Sequence, residues 1–144
     1  MDLLRNVQKR HFYDEYVSKC RRINKSSPLY GYNPIFGEDN FIRCETRLLK
    51  AKGLSEDEKL PILLPYGDKV VKLLILNIHS KECMHSGGVL GTLHHLRKRF
   101  FVLKARRLTR EIINSCLYCK RFRAKPGRSQ APCLPNFRLE TTCP

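Results

Sequence analysis

The sequence predicts a mainly α-helical fold with a small β element, on three observations. Apolar residues recur at helical spacing over residues 3–23 and again over 68–116. Between those stretches lie two short runs with strand character, at 41–48 and 62–64. Two histidines and a CxxC pair, His79, His85, Cys116 and Cys119, then divide the second helical stretch at spacings that suit one tetrahedral metal. A chain of 144 residues with ordinary apolar content holds one domain or two small ones, with a modest core.

Taken in order, Leu3, Leu4, Val7, Phe12, Tyr16, Val17, Cys20 and Ile23 predict one amphipathic helix, stopped by Ser26-Ser27-Pro28. Gly31, Asn33, Pro34 and Gly37 mark an irregular connector. Phe41 to Leu48 alternates as a strand should, and Ser55 to Glu58 has the pattern of a capped turn. Ile62-Leu63-Leu64, bracketed by Pro61 and Pro65, predicts a second strand antiparallel to the first. From Asp68, Val70, Val71, Leu74, Ile78 and His79 share one helical stripe, which puts His79 near a helix end. Gly87-Gly88 breaks the chain. Leu90, Leu93, Leu96 and Phe100 define a second helix of this unit, and Leu108, Ile112, Ile113 and Cys116 a third. Phe101 to Leu103 runs extended between them. The expected organisation is an N-terminal extension over 1–66, a three-helix metal-binding unit over 67–125, and a Pro-containing linker over 126–144, without internal repeats.

Twenty-eight Lys and Arg against thirteen Asp and Glu give a net charge of +15 and a pI near 9.8. Such a balance favours an acidic partner, nucleic acid before membrane. The strongest apolar run, Leu73 to Ile78, is too short to cross a bilayer, and the N-terminus lacks a signal-peptide layout. Seven cysteines, an odd number, fit a reducing compartment, nucleus and/or cytoplasm, with Cys20, Cys44, Cys83, Cys133 and Cys143 as free thiols. Charge concentrates around the donor set. Between residues 79 and 128, thirteen basic side chains meet only Glu82 and Glu111, so this third carries +11 of the total.

A lone CxxC is either a redox pair or half a metal site. Thioredoxin-type chemistry needs the pair at a helix start after a strand, whereas this pair ends a helical stretch and runs into Lys120-Arg121. Two imidazoles and two thiolates form a closed N2S2 set suited to one structural Zn²⁺, with no coordination position left for a reacting water. His94 and His95 read as surface residues of a basic helix, and Cys83 as a small buried thiol. On spacing alone, Cys83 can also replace His79 if the loop register differs. A three-helix unit this small buries too little apolar surface to stand alone, and metal binding coupled to folding supplies the rest.

A series of motifs then resembles one family. His79-x(5)-His85, Thr92-Leu93, His95-Leu96-Arg97, Phe100-Phe101-Val102, Arg107, Cys116-x(2)-Cys119 and Arg121 to Pro126 together resemble the zinc-binding domain of retrotransposon integrases of the BEL/Pao type. Upstream, Gln8 to Phe12, Ser26 to Leu29, Asn33-Pro34, Ile42-Arg43, Arg47-Leu48 and Pro61 to Pro65 extend the likeness over nearly the whole chain. The resemblance implies a zinc-stabilised, helix-turn-helix-like bundle that assists multimerisation and grips the ends of the element's DNA. It carries the metal ligands onto His79, His85, Cys116 and Cys119. Three departures stand out: a histidine spacing one residue longer, Glu45-Thr46 where two glycines are usual, and Phe101 where tryptophan is usual. After Cys119 only Glu140 is acidic, so the clustered carboxylates of a two-metal integrase core are missing and no catalysis is expected.

Phosphate contacts are accordingly expected from Arg97, Lys98, Arg99, Lys104, Arg106, Arg107, Arg110, Lys120, Arg121 and Arg123, with Arg106–Ser115 as the candidate groove helix. The expected partner is DNA, as retroelement ends or non-specific duplex, alongside a second copy or an integrase catalytic core. The competing expectation is a protein–protein or multimerisation module without DNA affinity. It would use the apolar face of 3–23 and the strand pair as its contact surface.

Overall fold

A computed structural model describes residues 2–21 and 23–127, with positions 133, 135 and 138 beyond them. The tail expected as a linker therefore lies mostly outside the described residues. Seven helices and four short strands make up the described fold, mainly α with a small sheet.

The first helical stretch is two helices, α1 (Asp2–His11) and α2 (Tyr13–Val17), and not one. The break is at Phe12, whose φ of −130° leaves helical geometry and lets its ring plug the core at 2 % exposure. Lys19 and Cys20 then take positive φ, ending the helical path well before Ile23. The connector contains a strand, β1 (Pro34–Phe36), that pairs antiparallel with β2 (Ile42–Cys44). Only three residues of the longer strand expected at 41–48 join the sheet. After α3 (Glu56–Lys59), opened by a reciprocal Ser55–Glu58 capping box, β3 (Ile62–Leu64) pairs antiparallel with β2.

α4 (Lys69–Asn77) starts on the Asp68 side chain, which accepts the Val70 amide at 2.8 Å. It runs into a π-helical turn, Ile78–Glu82, then α5 (Gly88–Arg97), β4 (Phe100–Val102), α6 (Ala105–Ser115) and α7 (Leu117–Arg123). β4 lies parallel to β3, so the sheet order is β1-β2-β3-β4. One strand comes from the segment expected as three helices, which instead holds four α-helices because Cys116 breaks the last into α6 and α7.

The sheet separates two apolar clusters, as period-two alternation requires. Ile62, Leu64, Phe100 and Val102 face Leu4, Val7, Val71, Ile75, Leu96 and Leu108, while Leu63 sits with Phe12, Leu29, Ile42 and Leu103. The apolar face of α1 is thus consumed inside the chain and does not form the expected docking surface. Gln8 occupies that face at full burial. Its Nε2 donates to the carbonyls of Ile42 at 2.7 Å and Leu63 at 2.6 Å, and its Oε1 accepts from the Ile42 amide at 2.9 Å. A single amide side chain thereby ties α1 to β2 and β3 with its polar atoms satisfied.

Candidate metal centre

Each of the four expected ligands reaches one point by a different local device. His79 lies within the π-helical turn, where the Cys83 amide bonds back five residues to the Ile78 carbonyl at 3.0 Å. Its side chain is fully buried. The chain then reverses through Met84 (φ +44°) and His85 (φ +61°), and the His85 amide donates to the His79 carbonyl at 3.0 Å. Two successive left-handed non-glycine residues cost about 1 kcal/mol each, a strain that aims the His85 ring at His79. Gly88 (φ +54°) completes the reversal in the region glycine accepts freely.

Cys116 and Cys119 straddle a joint that the sequence reading merged into one helix. α6 ends at Ser115, Cys116 is extended (ψ +117°), and α7 starts at Leu117 with Cys119 one turn in. Both sulfurs then point back at the histidines.

His79 Nε2 lies 3.0 Å from His85 Nδ1 and 3.1 Å from Cys119 Sγ, and His85 Nδ1 lies 3.5 Å from Cys116 Sγ and 3.8 Å from Cys119 Sγ. All four donor atoms fall within 4.8 Å of one another. A tetrahedral N2S2 zinc has edges of about 3.3–3.8 Å for ordinary bond lengths, so donor type, number and spacing all fit. Cys83, the alternative to His79, instead packs in the first apolar cluster, and His95 faces Glu82 at 3.3 Å.

The ligand atoms also have the right protonation chemistry. Burial pushes the His79 pKa below its ordinary value, with help from the neighbouring His85 and Arg123, which keeps the imidazole neutral and its lone pair available. Burial and the adjacent Cys116 thiol push Cys119 up, so without a cation the Cys119 thiol resists ionisation. A bound divalent cation reverses that preference by stabilising both thiolates.

Two supporting groups lie outside the set of expected site residues. Thr92, buried on α5, sits 3.4 Å from His79 Nδ1 and donates its hydroxyl proton to the Gly88 carbonyl at 2.8 Å. Its oxygen is therefore left to accept from Nδ1–H, which fixes the tautomer that leaves Nε2 free to ligate. A threonine in a helix gives no sequence signal for this role. Tyr118 is the other: its ring covers His85, with centroids 4.4 Å apart.

The ten expected phosphate-binding residues divide into groups. Arg97, Lys104, Arg106, Arg107 and Arg110 converge on one cleft between the end of α5, β4 and α6. Arg99 turns toward Asp57 at 3.5 Å, and Lys98 does not line the cleft. Lys120, Arg121 and Arg123 are exposed on α7, beside the metal ligands.

Residues 67–125 match the family model of the integrase zinc binding domain. Comparison with curated proteins and with solved structures gave no match. The matched segment contains all four grouped ligands, and it holds one structural zinc.

Proposed function

We propose that this chain, a zinc-binding integrase module at residues 67–125, is a DNA-binding and assembly module of a BEL/Pao-type retroelement integrase that performs no strand-transfer chemistry itself. The observation that carries the DNA reading is the convergence of five cations on the cleft beside α6, against the single carboxylate of Glu111. That carboxylate is already engaged, since Arg107 reaches it at 3.0 Å and holds its pKa below the ordinary value. Among the described residues no carboxylate pairs with Arg97, Arg106 or Arg110. Cations left uncompensated on one face attract phosphate and release its counterions. DNA ends or non-specific duplex are the proposed ligands.

The zinc serves shape. With two imidazoles and two thiolates filling a tetrahedron, the metal cross-links the π-helical turn to α7 and offers no position to a hydrolytic water. Among the described residues no helix is long and apolar enough to cross a membrane. Among the described residues six cysteines form no disulfide, Cys116 and Cys119 being the zinc ligands, in keeping with a proposed place in the nucleus or cytoplasm.

Arg106→Glu with Arg110→Glu reverses two unpaired charges on one face of α6. Duplex affinity, read by fluorescence anisotropy at moderate salt, is expected to fall by at least about tenfold, with a shallower dependence on salt concentration. Affinity unchanged by the pair, or indifferent to salt, would remove this face from the interface.

A second reading has its own observation. Leu73, Leu76, Leu117, Tyr118, Phe122 and Met84 are exposed around α4, α7 and the histidine turn. Such a strip suits contact with a second copy or an integrase core. Gel filtration of the zinc-loaded chain separates the readings, because a dimer without DNA affinity favours this one.

A further inference from the structure

The basic cleft has an aromatic floor. Tyr32, from the N-terminal extension, meets Phe101 of β4 with ring centroids 5.4 Å apart and planes inclined at 57°, in a cleft of about 740 Å³. Tyr32 is 38 % exposed and Phe101 half-buried, so the two rings form an open notch. The notch is preset by the backbone. The Tyr32 amide donates to the Leu29 carbonyl at 3.1 Å, and the Tyr32 carbonyl accepts from Cys44 Sγ at 3.1 Å.

Double-helical DNA has little use for such a floor. Its bases are stacked and reached only by elements that protrude into a groove, and its phosphates do not seek aromatic rings. A cleft that combines cations with aromatic faces fits an unpaired nucleotide, whose base stacks while its phosphates meet the arginines. We propose that this cleft binds single-stranded nucleic acid, with one base stacked in the Tyr32–Phe101 notch and the flanking phosphates on Arg97, Arg106 and Arg110. This deepens the reading of the cleft as a nucleic-acid face and rests on it. It also gives the extension a part in binding, since one wall of the site is Tyr32.

The test compares a fluorescent dT12 strand with a 12-bp duplex on the full zinc-loaded chain, and repeats both with Tyr32→Leu and, independently, Phe101→Leu. Zinc content and circular dichroism verify that each variant is folded. The expected result is tighter binding of dT12 than of duplex, and a loss of about tenfold for dT12 in each folded variant with duplex affinity little changed. An rU12 arm distinguishes RNA from DNA as the source of the strand, and preference for either strand over duplex meets the expectation. Duplex bound as well as both single strands, with Tyr32→Leu silent, would overturn the stacking site and leave the duplex reading intact. No binding of any of the three probes overturns both.

Discussion

At one end of the zinc-binding segment, α5 and β4 insert Leu96, Phe100 and Val102 into a core shared with α1 and the sheet; at the other, α7 buries only Cys119. Leu117, Tyr118 and Phe122 of that helix are 80 %, 52 % and 73 % exposed. A seven-residue helix is far too short to persist alone, and this one has almost no apolar burial to compensate. The comparison shows where the metal is needed. Zinc holds the end that the hydrophobic effect leaves loose, and the sheet with Gln8 holds the end that it grips.

The largest expected effect follows from removing the metal. Chelation, or Cys119→Ser, withdraws a binding free energy on the order of 10 kcal/mol. Helical circular dichroism should drop while the sheet end keeps part of its structure. A spectrum indifferent to chelator contradicts a structural role. Next comes the opposite end: Gln8→Leu strands the Ile42 amide and two carbonyls in the core and should cost about 2–3 kcal/mol in urea unfolding, without changing zinc stoichiometry. A variant as stable as the parent denies Gln8 its clamping role.

A smaller change refines the metal end. Thr92→Val keeps shape but removes the oxygen facing His79 Nδ1, and zinc affinity in a competition titration should weaken about tenfold with the fold retained. Equal affinity would mean the tautomer is set elsewhere. The smallest effect concerns Asp68. Burial alone would raise its pKa, but the Val70 amide, His11 and Arg10 hold it below the ordinary carboxylate value. A depressed folded pKa gives stability that is present above the unfolded pKa of about 3.9 and lost as pH falls through the folded one. Asp68→Asn should cost about 1 kcal/mol near neutrality and flatten the acid limb of the stability curve. A variant whose acid limb matches the parent's is the opposing result.

Much of this contrast was legible in the sequence because its signals are local. Two histidines, a CxxC and a helical stripe from Val70 to Ile78 announce the metal end, and the prolines at 61 and 65 frame β3. Gln8, four residues after Leu4, sits where the stripe wants an apolar group, and a polar side chain there carries no local sign of the clamp it forms. Phe12 fell close enough to helical spacing to mask the break between α1 and α2. β1 is three residues inside an irregular Gly- and Pro-containing connector, with no alternation to register. Phe101 to Leu103 reads as extended and β4 forms there, shifted by one residue, but its parallel pairing with β3 spans a long crossover with no local sign. The Tyr32–Phe101 notch is invisible for the same reason: its halves are 69 positions apart and meet only through that sheet.

Amide hydrogen exchange on the zinc-loaded chain, before and after chelation, tests the division of labour most directly. The account predicts that residues 78–85 and 117–123 lose protection when zinc is removed, while α1 and β1 to β3 retain most of theirs. Protection of α7 that survives chelation would contradict it.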